Sequence, residues 1–482
     1  TGADGALVLV VTGALTVDSA VTAHGSGNVL LQSTGGALAL NAAVISTTGH
    51  ITVVATGSIT QADAGDITTT GAGTVDMQAG SALTMADGAK VSAAGDVRMQ
   101  ALGGDLTLGE IDAGAATVVL MASIDVLDLD DSNAVDVTAG KLYVQAGVGI
   151  GSGANALETS VGTLALSAGA GGAFISEANG LIVDTVALST LQRVNAQGGV
   201  AAQSGSYEDL TVYGGGALAL DLVAGNLTVN AGATVAGAAI TAAGAGHVRL
   251  NALAGAIAVN AGVDAGAGSL SVLSSGGQTY GAAGDLSTTA GTVDVQAGGA
   301  ITMNADTVFL TTGGNARVTS GGAITLGVID ARKSGEQSGW GSVSVVTSNG
   351  SILDNTGDTA INVYANALRL SATAGVGALG ANTTNAIETE AASLSAAAGS
   401  GVLSLAEASA LSVGEVAAVV ANRVKSDGTV TASTVSDSAA QAGLTSTGAD
   451  GALVLVVTGA LTVDSAVTAH GSGNVLLQST GG

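Results

Sequence analysis

Short runs of alternating apolar and polar residues recur along the whole chain, and clusters of Gly, Asn, Asp and Ser separate them. Clear examples lie at residues 29–31, 51–53 and 97–99. Alternation with a period of two is typical of a β-strand with one buried face, and the intervening clusters are typical of turns. Glycine every few residues and the lack of a sustained 3.6-residue pattern argue against helices. The pattern therefore predicts an all-β protein built from short strands.

Three series of apolar residues recur in step along the first part of the chain. They are Leu15, Leu38, Ile59, Leu83 and Leu106; Val21, Val44, Ile67, Val91 and Ile111; and Val29, Ile51, Val75, Val97 and Val118. A single coil cannot bury its own apolar face, but stacked coils bury it continuously. The series predict a parallel β-helix (β-solenoid) with three short strands per coil and roughly 22 residues per coil.

A long exact repeat sets the organisation of the chain. Residues 1–36 recur without a change as residues 447–482, an offset of 446. We interpret residues 1–446 as one complete period of a tandem array and residues 447–482 as the start of the next identical repeat. At roughly 22 residues per coil, one period holds about 20 coils.

An older duplication lies inside this period. The segment LTLGEIDA at 106–113 returns as ITLGVIDA at 324–331, an offset of 218. The period is therefore predicted to consist of two diverged halves, approximately 1–212 and 213–446.

Composition fits thin stacked layers better than a conventional core. Apolar residues make up 47% of the chain but aromatic residues only 2%, and there is no proline. Proline cannot donate to a β ladder, so its absence suits a continuous stack. Asparagine ladders satisfy turn amides in stacked β structures. Four asparagines at the same place in the strand motif are expected to form such ladders: Asn41, Asn230, Asn260 and Asn304.

Charge and cysteine usage exclude several classes of function. The net charge of −26, from 37 acidic and 11 basic side chains, disfavours binding to nucleic acid or anionic lipid. The chain has no cysteine, which excludes disulfides and thiol chemistry. No run reaches the roughly 18 apolar residues of a membrane span. We expect neither a nucleic-acid partner nor a membrane span.

Candidate metal-binding and catalytic residues are few. The densest acidic cluster consists of Asp125, Asp128, Asp130 and Asp131. Several oxygens of this kind suit calcium, but a solvated turn between coils is the favoured interpretation. The duplicate segment keeps only Asp354 and Asp358. The histidines are scattered and are expected to be exposed turn residues: His24, His50, His247 and His470. The sequence predicts no catalytic residue, no cofactor and no metal site.

One insertion stands out from the repeating background. NALET at 155–159 returns as NAIET at 385–389, an offset of 230, which is twelve more than 218 (230 − 218 = 12). The extra residues are attributed to an insertion around 332–341. This loop contains the only tryptophan of the chain, and tryptophan and arginine are favoured in binding hot spots. The alternatives are a tolerated surface insertion and an interaction loop, whose candidate residues are Arg332, Lys333, Glu336 and Trp340.

The repeating strand motif also resembles a known family. GTVDMQAG at 73–80, GTVDVQAG at 291–298 and the glycine-rich segment at 147–172 resemble the filamentous-haemagglutinin-like adhesins, giant β-strand-repeat proteins of bacterial surfaces. The resemblance covers essentially the whole chain. It implies secretion across an outer membrane and a role in adhesion, aggregation or matrix building.

These observations favour a structural or adhesive extracellular fibre of a bacterial surface over an enzyme. Its expected partners are further copies of the repeat or another cell surface. Because parallel β-helices also include polysaccharide-cleaving enzymes, the alternative is a module that binds or processes polysaccharide. The scarcity of aromatic residues, which stack on sugars, counts against that alternative.

Overall fold

The predicted fold class is confirmed. A computed structural model describes residues 4–129, 134–233, 237–357, 360–380 and 385–481. The chain is all-β, a parallel β-solenoid of about 20 turns with about 23 residues per turn. In the described part of the chain, the one helical segment is a single 3₁₀ turn at Gln337–Gly339. None of its helices is long and apolar enough to cross a membrane.

The chain divides into two compact units. The first unit comprises Thr1–Ala224 and Ala231–Ala239, and the second comprises Gly225–Asn230 and Ile240–Gly482.

In the first unit, a regular turn contains a long strand, a second strand and a third strand. The long strands are Leu7–Val11, Val29–Ser33, Ile51–Ala55, Val75–Ala79, Val97–Ala101 and Thr117–Ala122. The second strands are Leu15–Val17, Leu38–Leu40, Ile59–Gln61, Leu83–Met85, Leu106–Leu108, Val126–Asp128 and Gly149–Ile150. The third strands are Val21–Ala23, Val44–Ser46, Ile67–Thr69, Lys90–Ser92 and Glu110–Asp112.

Later turns of the first unit are less regular. Third and long strands fuse in Val137–Ala146 and Leu157–Ala168. The remaining strands of the stack are Gly172–Glu177, Leu181–Val183, Leu210–Val212 and Leu218–Leu222, and Ala238–Ala242 lies at the unit boundary. Four strands leave the stack: Val186–Leu188, Gln192–Val194, Val200–Ala202 and Gly205–Tyr207.

The second unit repeats this plan. Its long strands are Val248–Ala252, Leu270–Ser274, Val293–Ala297, Ala316–Ser320 and Val343–Thr347. Its second strands are Leu227–Val229, Ile257–Val259, Gln278–Tyr280, Ile301–Met303, Ile324–Leu326 and Ile352–Asp354, and its third strands are Gly262–Asp264, Leu286–Ser287, Val308–Leu310 and Val328–Asp330. Fused strands are Val363–Ala372 and Ile387–Ala398. Later strands of the stack are Leu403–Glu407, Leu411–Val413, Leu444–Ser446, Leu453–Val457, Leu461–Val463, Val467–Ala469 and Val475–Ser479. Strands outside it are Glu415–Val416, Val420–Asn422, Thr434–Ser436 and Gln441–Ala442.

The apolar series read from the sequence form the core. In the first series, Leu15 pairs with Leu38, which pairs with Ile59, and the pairing continues through Leu83 to Leu106. The last four of these side chains are fully buried. Since neighbouring strands of a ladder lie about 4.8 Å apart, each residue packs on its counterparts in adjacent turns.

Glycine serves a steric role at one corner of the first unit. Gly49, Gly73 and Gly95 occupy the same place in successive turns. A Cβ atom at Gly73 would lie 2.6 Å from the carbonyl oxygen of Gly49, and one at Gly95 would lie 2.6 Å from that of Gly73. Only a residue without a side chain allows the turns to approach this closely.

The predicted asparagine ladder is confirmed for one pair. The side-chain amide of Asn260 donates to the Oδ1 of Asn230 at 3.0 Å. Val259 pairs with Tyr280, so Gly281 holds the place of Asn260 in the next turn. A glycine therefore separates Asn260 from Asn304 in this column. Asn41 instead donates to the carboxylate of Asp18 at 2.7 Å.

Candidate functional site

Each unit carries an antiparallel β-hairpin that leaves the parallel stack. In the first arm (residues 186–207), Val186 pairs with Tyr207 and Val194 pairs with Val200. In the second arm (residues 415–442), Val416 pairs with Gln441 and Val420 pairs with Ser436, again in antiparallel fashion. The sequence analysis did not predict these arms.

The first arm folds back over the long strands of its own unit. It is hydrogen-bonded to each of five successive turns, through residues that include Thr117, Asp96, Thr74, Thr52 and Asn28. The contact nearest the tip is made by the side-chain amide of Asn28, which donates to the carbonyl of Gly198 at 3.0 Å. The arm therefore ties together turns that would otherwise contact only their neighbours.

A buried ion cluster anchors the first arm. Asp76 is fully buried, and Arg98 from the next turn donates to both of its carboxylate oxygens at 3.0 Å. Arg193 of the arm bonds to the same carboxylate at 2.5 Å and to Gln78 at 2.9 Å. Two guanidinium groups thus share one buried carboxylate, and the loss of that carboxylate leaves both arginines without their buried partner.

The second arm has the same anchor. Asp294 is fully buried, and Arg317 and the arm's Arg423 bond to its two oxygens at 3.2 and 2.7 Å. Arg423 also donates to Gln296 at 2.6 Å. The motifs QRVNAQGG at 192–199 and NRVKSDGT at 422–429 carry this arginine just before a turn sequence. That shared arginine–turn motif is the one signal of the arms that the sequence carries in both units.

Only part of the predicted acidic cluster lies in the described residues. Asp130 and Asp131 lie outside the described residues, as does Asp358 in the duplicate. Asp128 instead approaches Asp136 and Glu158, so that one carboxylate oxygen of each lies within 4.8 Å of the others. Carboxylates this close bind a cation or share a proton, because two adjacent negative charges repel.

The predicted interaction loop projects from the second unit. Arg332 bonds to Asp330 at 2.6 Å and stacks over the ring of Tyr364, with 3.7 Å between the guanidinium carbon and the ring centroid. Lys333 and Glu336 are exposed, whereas Trp340 is half-buried. The loop therefore presents one lysine and one glutamate freely, while its arginine is held against the solenoid.

Two histidines are less exposed than the sequence analysis expected. His50 and His247 are half-buried, and their Nδ1 atoms lie 3.2 and 2.9 Å from the backbone N–H groups of Thr74 and Ser269 in the next turn. Burial lowers the pKa of both imidazoles. His50 and His247 therefore join adjacent turns. His24 and His470 are exposed, as expected.

Comparison with protein-family models, curated proteins and solved structures finds no match for this chain.

Proposed function

We propose that this chain is a structural and adhesive segment of an extracellular fibre on a bacterial surface, formed by a long tandem-repeat polypeptide. The resemblance to filamentous-haemagglutinin-like adhesins supports this function and location. The partners are neighbouring copies of the repeat and another cell surface, and the role is mechanical rather than enzymatic.

The proposal of a tandem fibre rests on the junction between residues 1–446 and residues 447–482. Leu453 in the second period pairs with Leu403 of the first on one side and with Val475 on the other. Its counterpart Leu7 pairs with Val29 in the same register. One period thus passes into the next without a break in the hydrogen-bond ladder, as a tandem array of any length requires.

Particle length tests the fibre. Chains with one, two and three periods are to be imaged by negative-stain electron microscopy. We expect each added period to lengthen the particle by about 95 Å, since about 20 turns stack at about 4.8 Å each. Separate compact lobes, or a length that does not grow with period number, would contradict a continuous fibre.

The insertion loop is the proposed adhesive contact. In the first unit, residues 114–116 join the strands that residues 332–341 join in the second. Replacing 332–341 with the Gly-Ala-Ala of 114–116 therefore removes the loop and keeps the turn. We expect reduced bead aggregation or cell adhesion, with a loss of thermal stability limited to the contacts of Arg332 with Asp330 and Tyr364. A matched control, Lys333→Ala with Glu336→Ala, separates the charged tip from Trp340. Unchanged adhesion after replacement would refute the loop's role.

A specific surface favours polysaccharide binding as a second candidate. The outward residues of the second strands are uncharged in both units despite the acidic composition: Thr16, Ala39, Thr60, Thr84, Thr107 and Leu127, then Thr228, Ala258, Thr279, Thr302, Thr325 and Leu353. In the second unit, part of this face forms a shallow groove of about 300 Å³, lined also by Asn226 and Gln278. A neutral row of hydroxyl groups suits a neutral glycan.

Sedimentation with insoluble cellulose or chitin tests this candidate. The double variant Thr279→Lys with Thr302→Lys places two cations in the groove, and Thr60→Lys with Thr84→Lys is the matched change in the first unit. Loss of binding in the first variant alone would assign the groove. No binding by the natural chain would leave the fibre as the sole candidate.

A further inference from the structure

Two equivalent turns differ in one side chain at a buried position. Asp128 pairs with Leu108 in the first unit, and Asp354 pairs with Leu326 in the second. After each of these aspartates, the chain re-enters the stack at Val137 or Val363, which pair with Ile111 and Ile329. The residue just before re-entry is Asp136 in the first unit and Asn362 in the second.

One oxygen of this side chain has the same role in both units. The Asp136 backbone N–H donates to the Glu158 carbonyl at 3.0 Å, and the Glu158 N–H donates to Asp136 Oδ2 at 2.9 Å. In the second unit, the Asn362 N–H donates to the Glu388 carbonyl at 2.9 Å, and the Glu388 N–H donates to Asn362 Oδ1 at 3.0 Å.

The other side-chain atom faces the aspartate of the previous strand. In the second unit this atom is the amide nitrogen of Asn362, which donates to Asp354 Oδ1 at 2.8 Å. In the first unit it is a carboxyl oxygen of Asp136 that faces Asp128. Two ionised oxygens in this geometry repel each other, whereas a protonated carboxyl group donates as the amide does.

The surroundings of Asp136 disfavour its ionised form. Asp136 is only 8% exposed, and the acidic Glu158 lies close to it as well as Asp128. Burial and the nearby carboxylate of Asp128 raise the pKa of Asp136 to about 8. The acidic residues of the preceding third strand are engaged elsewhere: Glu110 with Lys90, and Asp112 with the backbone N–H of Gly114.

We propose that the Asp136 carboxyl group is protonated and donates a hydrogen bond to Asp128, in the place where Asn362 donates through its amide. Alkaline solution therefore loosens this turn of the first unit and spares its counterpart in the second. An acid whose pKa is raised on folding stabilises the folded chain fully below its unfolded pKa, near 3.9 for aspartate. That contribution is lost as the pH rises to about 8. Above that pH, the turn bears an additional buried charge.

Hydrogen exchange measured by mass spectrometry on the whole chain tests the proposal. Peptides covering 134–146 and 360–372 are compared between about pH 6 and about pH 9, with rates corrected for intrinsic exchange. We expect the protection of 134–146 to fall by up to about tenfold per pH unit until about pH 8, the slope set by one proton. The protection of 360–372 stays constant.

Two substitutions, each of which gives one unit the side chain of the other, make the test decisive. Asp136→Asn removes the slope in 134–146, and Asn362→Asp creates one in 360–372. Infrared spectroscopy gives an independent readout, because a protonated carboxyl band present near neutral pH disappears in Asp136→Asn. An unchanged slope in Asp136→Asn, or equal slopes in both peptides of the natural chain, would overturn the proposal. So would restoration of alkaline protection by calcium or magnesium, which would identify a cation site.

Discussion

The two arms share an anchor but are fastened at their roots by different forces. In the first arm, Tyr207 stacks on Tyr143 with ring centroids 3.9 Å apart, against a buried cluster that includes Val119 and Leu188. In the second unit, Ser344 and Arg369 occupy the places of Val119 and Tyr143 in the ladder.

The second root is ionic. Ser344 donates to Asp437 of the arm at 3.0 Å, and Arg369 lies 3.3 Å from the same carboxylate. Arg317, which belongs to the anchor, approaches Asp437 at 3.8 Å. The same hairpin position is thus held by apolar and aromatic burial in one unit and by charge in the other. The difference shows that the same arm is fastened to its unit by different chemistry in the two units.

Removing the anchoring carboxylate is expected to have the largest effect, and an equal one in both units. Asp76→Ala and Asp294→Ala each leave two arginines without their buried partner, which destabilises the affected turns by about 3–5 kcal/mol. Hydrogen exchange of residues 186–207 and 415–442 measures the release of each arm. Ser426→Ala, at the exposed tip of the second arm, is the control and should leave protection unchanged. An effect in one unit alone would show that the shared geometry hides unequal anchors.

Truncation at the roots should have a smaller effect. Tyr207→Ala removes a stacked ring and is expected to lower the stability of the first root by about 2 kcal/mol, whereas Tyr207→Phe keeps the ring and costs little. Asp437→Ala should loosen the second root to a similar extent, because Arg369 loses its carboxylate. Limited proteolysis within each arm reports both changes. Equal sensitivity of Tyr207→Phe and Tyr207→Ala would exclude stacking as the fastening force.

Salt should produce the smallest effect. It should lower the stability of the second root and leave that of the first root unchanged or slightly higher. Raising the sodium chloride concentration screens the Asp437 contacts only partly, because that residue is 7% exposed, so the second root should weaken by less than about 1 kcal/mol. The aromatic root should stay constant or tighten slightly. Exchange protection of the two arms against salt concentration gives the comparison. A parallel decline in both would mean that the buried anchors, rather than the roots, respond to ions.

The stack was readable from sequence because its signal is local and repeated. Val21, Val44, Ile67, Val91 and Ile111 pair in the predicted order, and so do the other two series. The strands of the arms were not distinguished from the stack, because a strand such as Val186–Leu188 shows the same alternation as any strand of the stack, and the repeated arginine–turn motif does not say where the arm folds. The arm that contains this strand is anchored through Arg193 to Asp76, which lies 117 residues earlier in the chain.

For the candidate sites, too, the sequence indicated single residues but not their partners from other turns. The sequence indicated Asp128, but its neighbours Asp136 and Glu158 come from later turns, and the proton between the aspartates depends on their burial. The insertion at 332–341 was visible as a shift in offset, but the equivalent places of Val118 and Val343 give this loop seven of the twelve extra residues (343 − 118 − 218 = 7). That Arg332 stacks on Tyr364 depends on the following turn.

The amino-acid sequence by itself determined the period, the strand positions and the stacking of like residues, because each depends on patterns that repeat at a fixed spacing. Burial and partnership were decided only by the tertiary structure. Equivalent strands of the two units have different partners: Tyr143 stacks on Tyr207, whereas Arg369 at the same place in the ladder lies beside Asp437. The physical reason is that the arm residues lie many turns away in the chain, so a pattern with the spacing of one turn does not record these contacts.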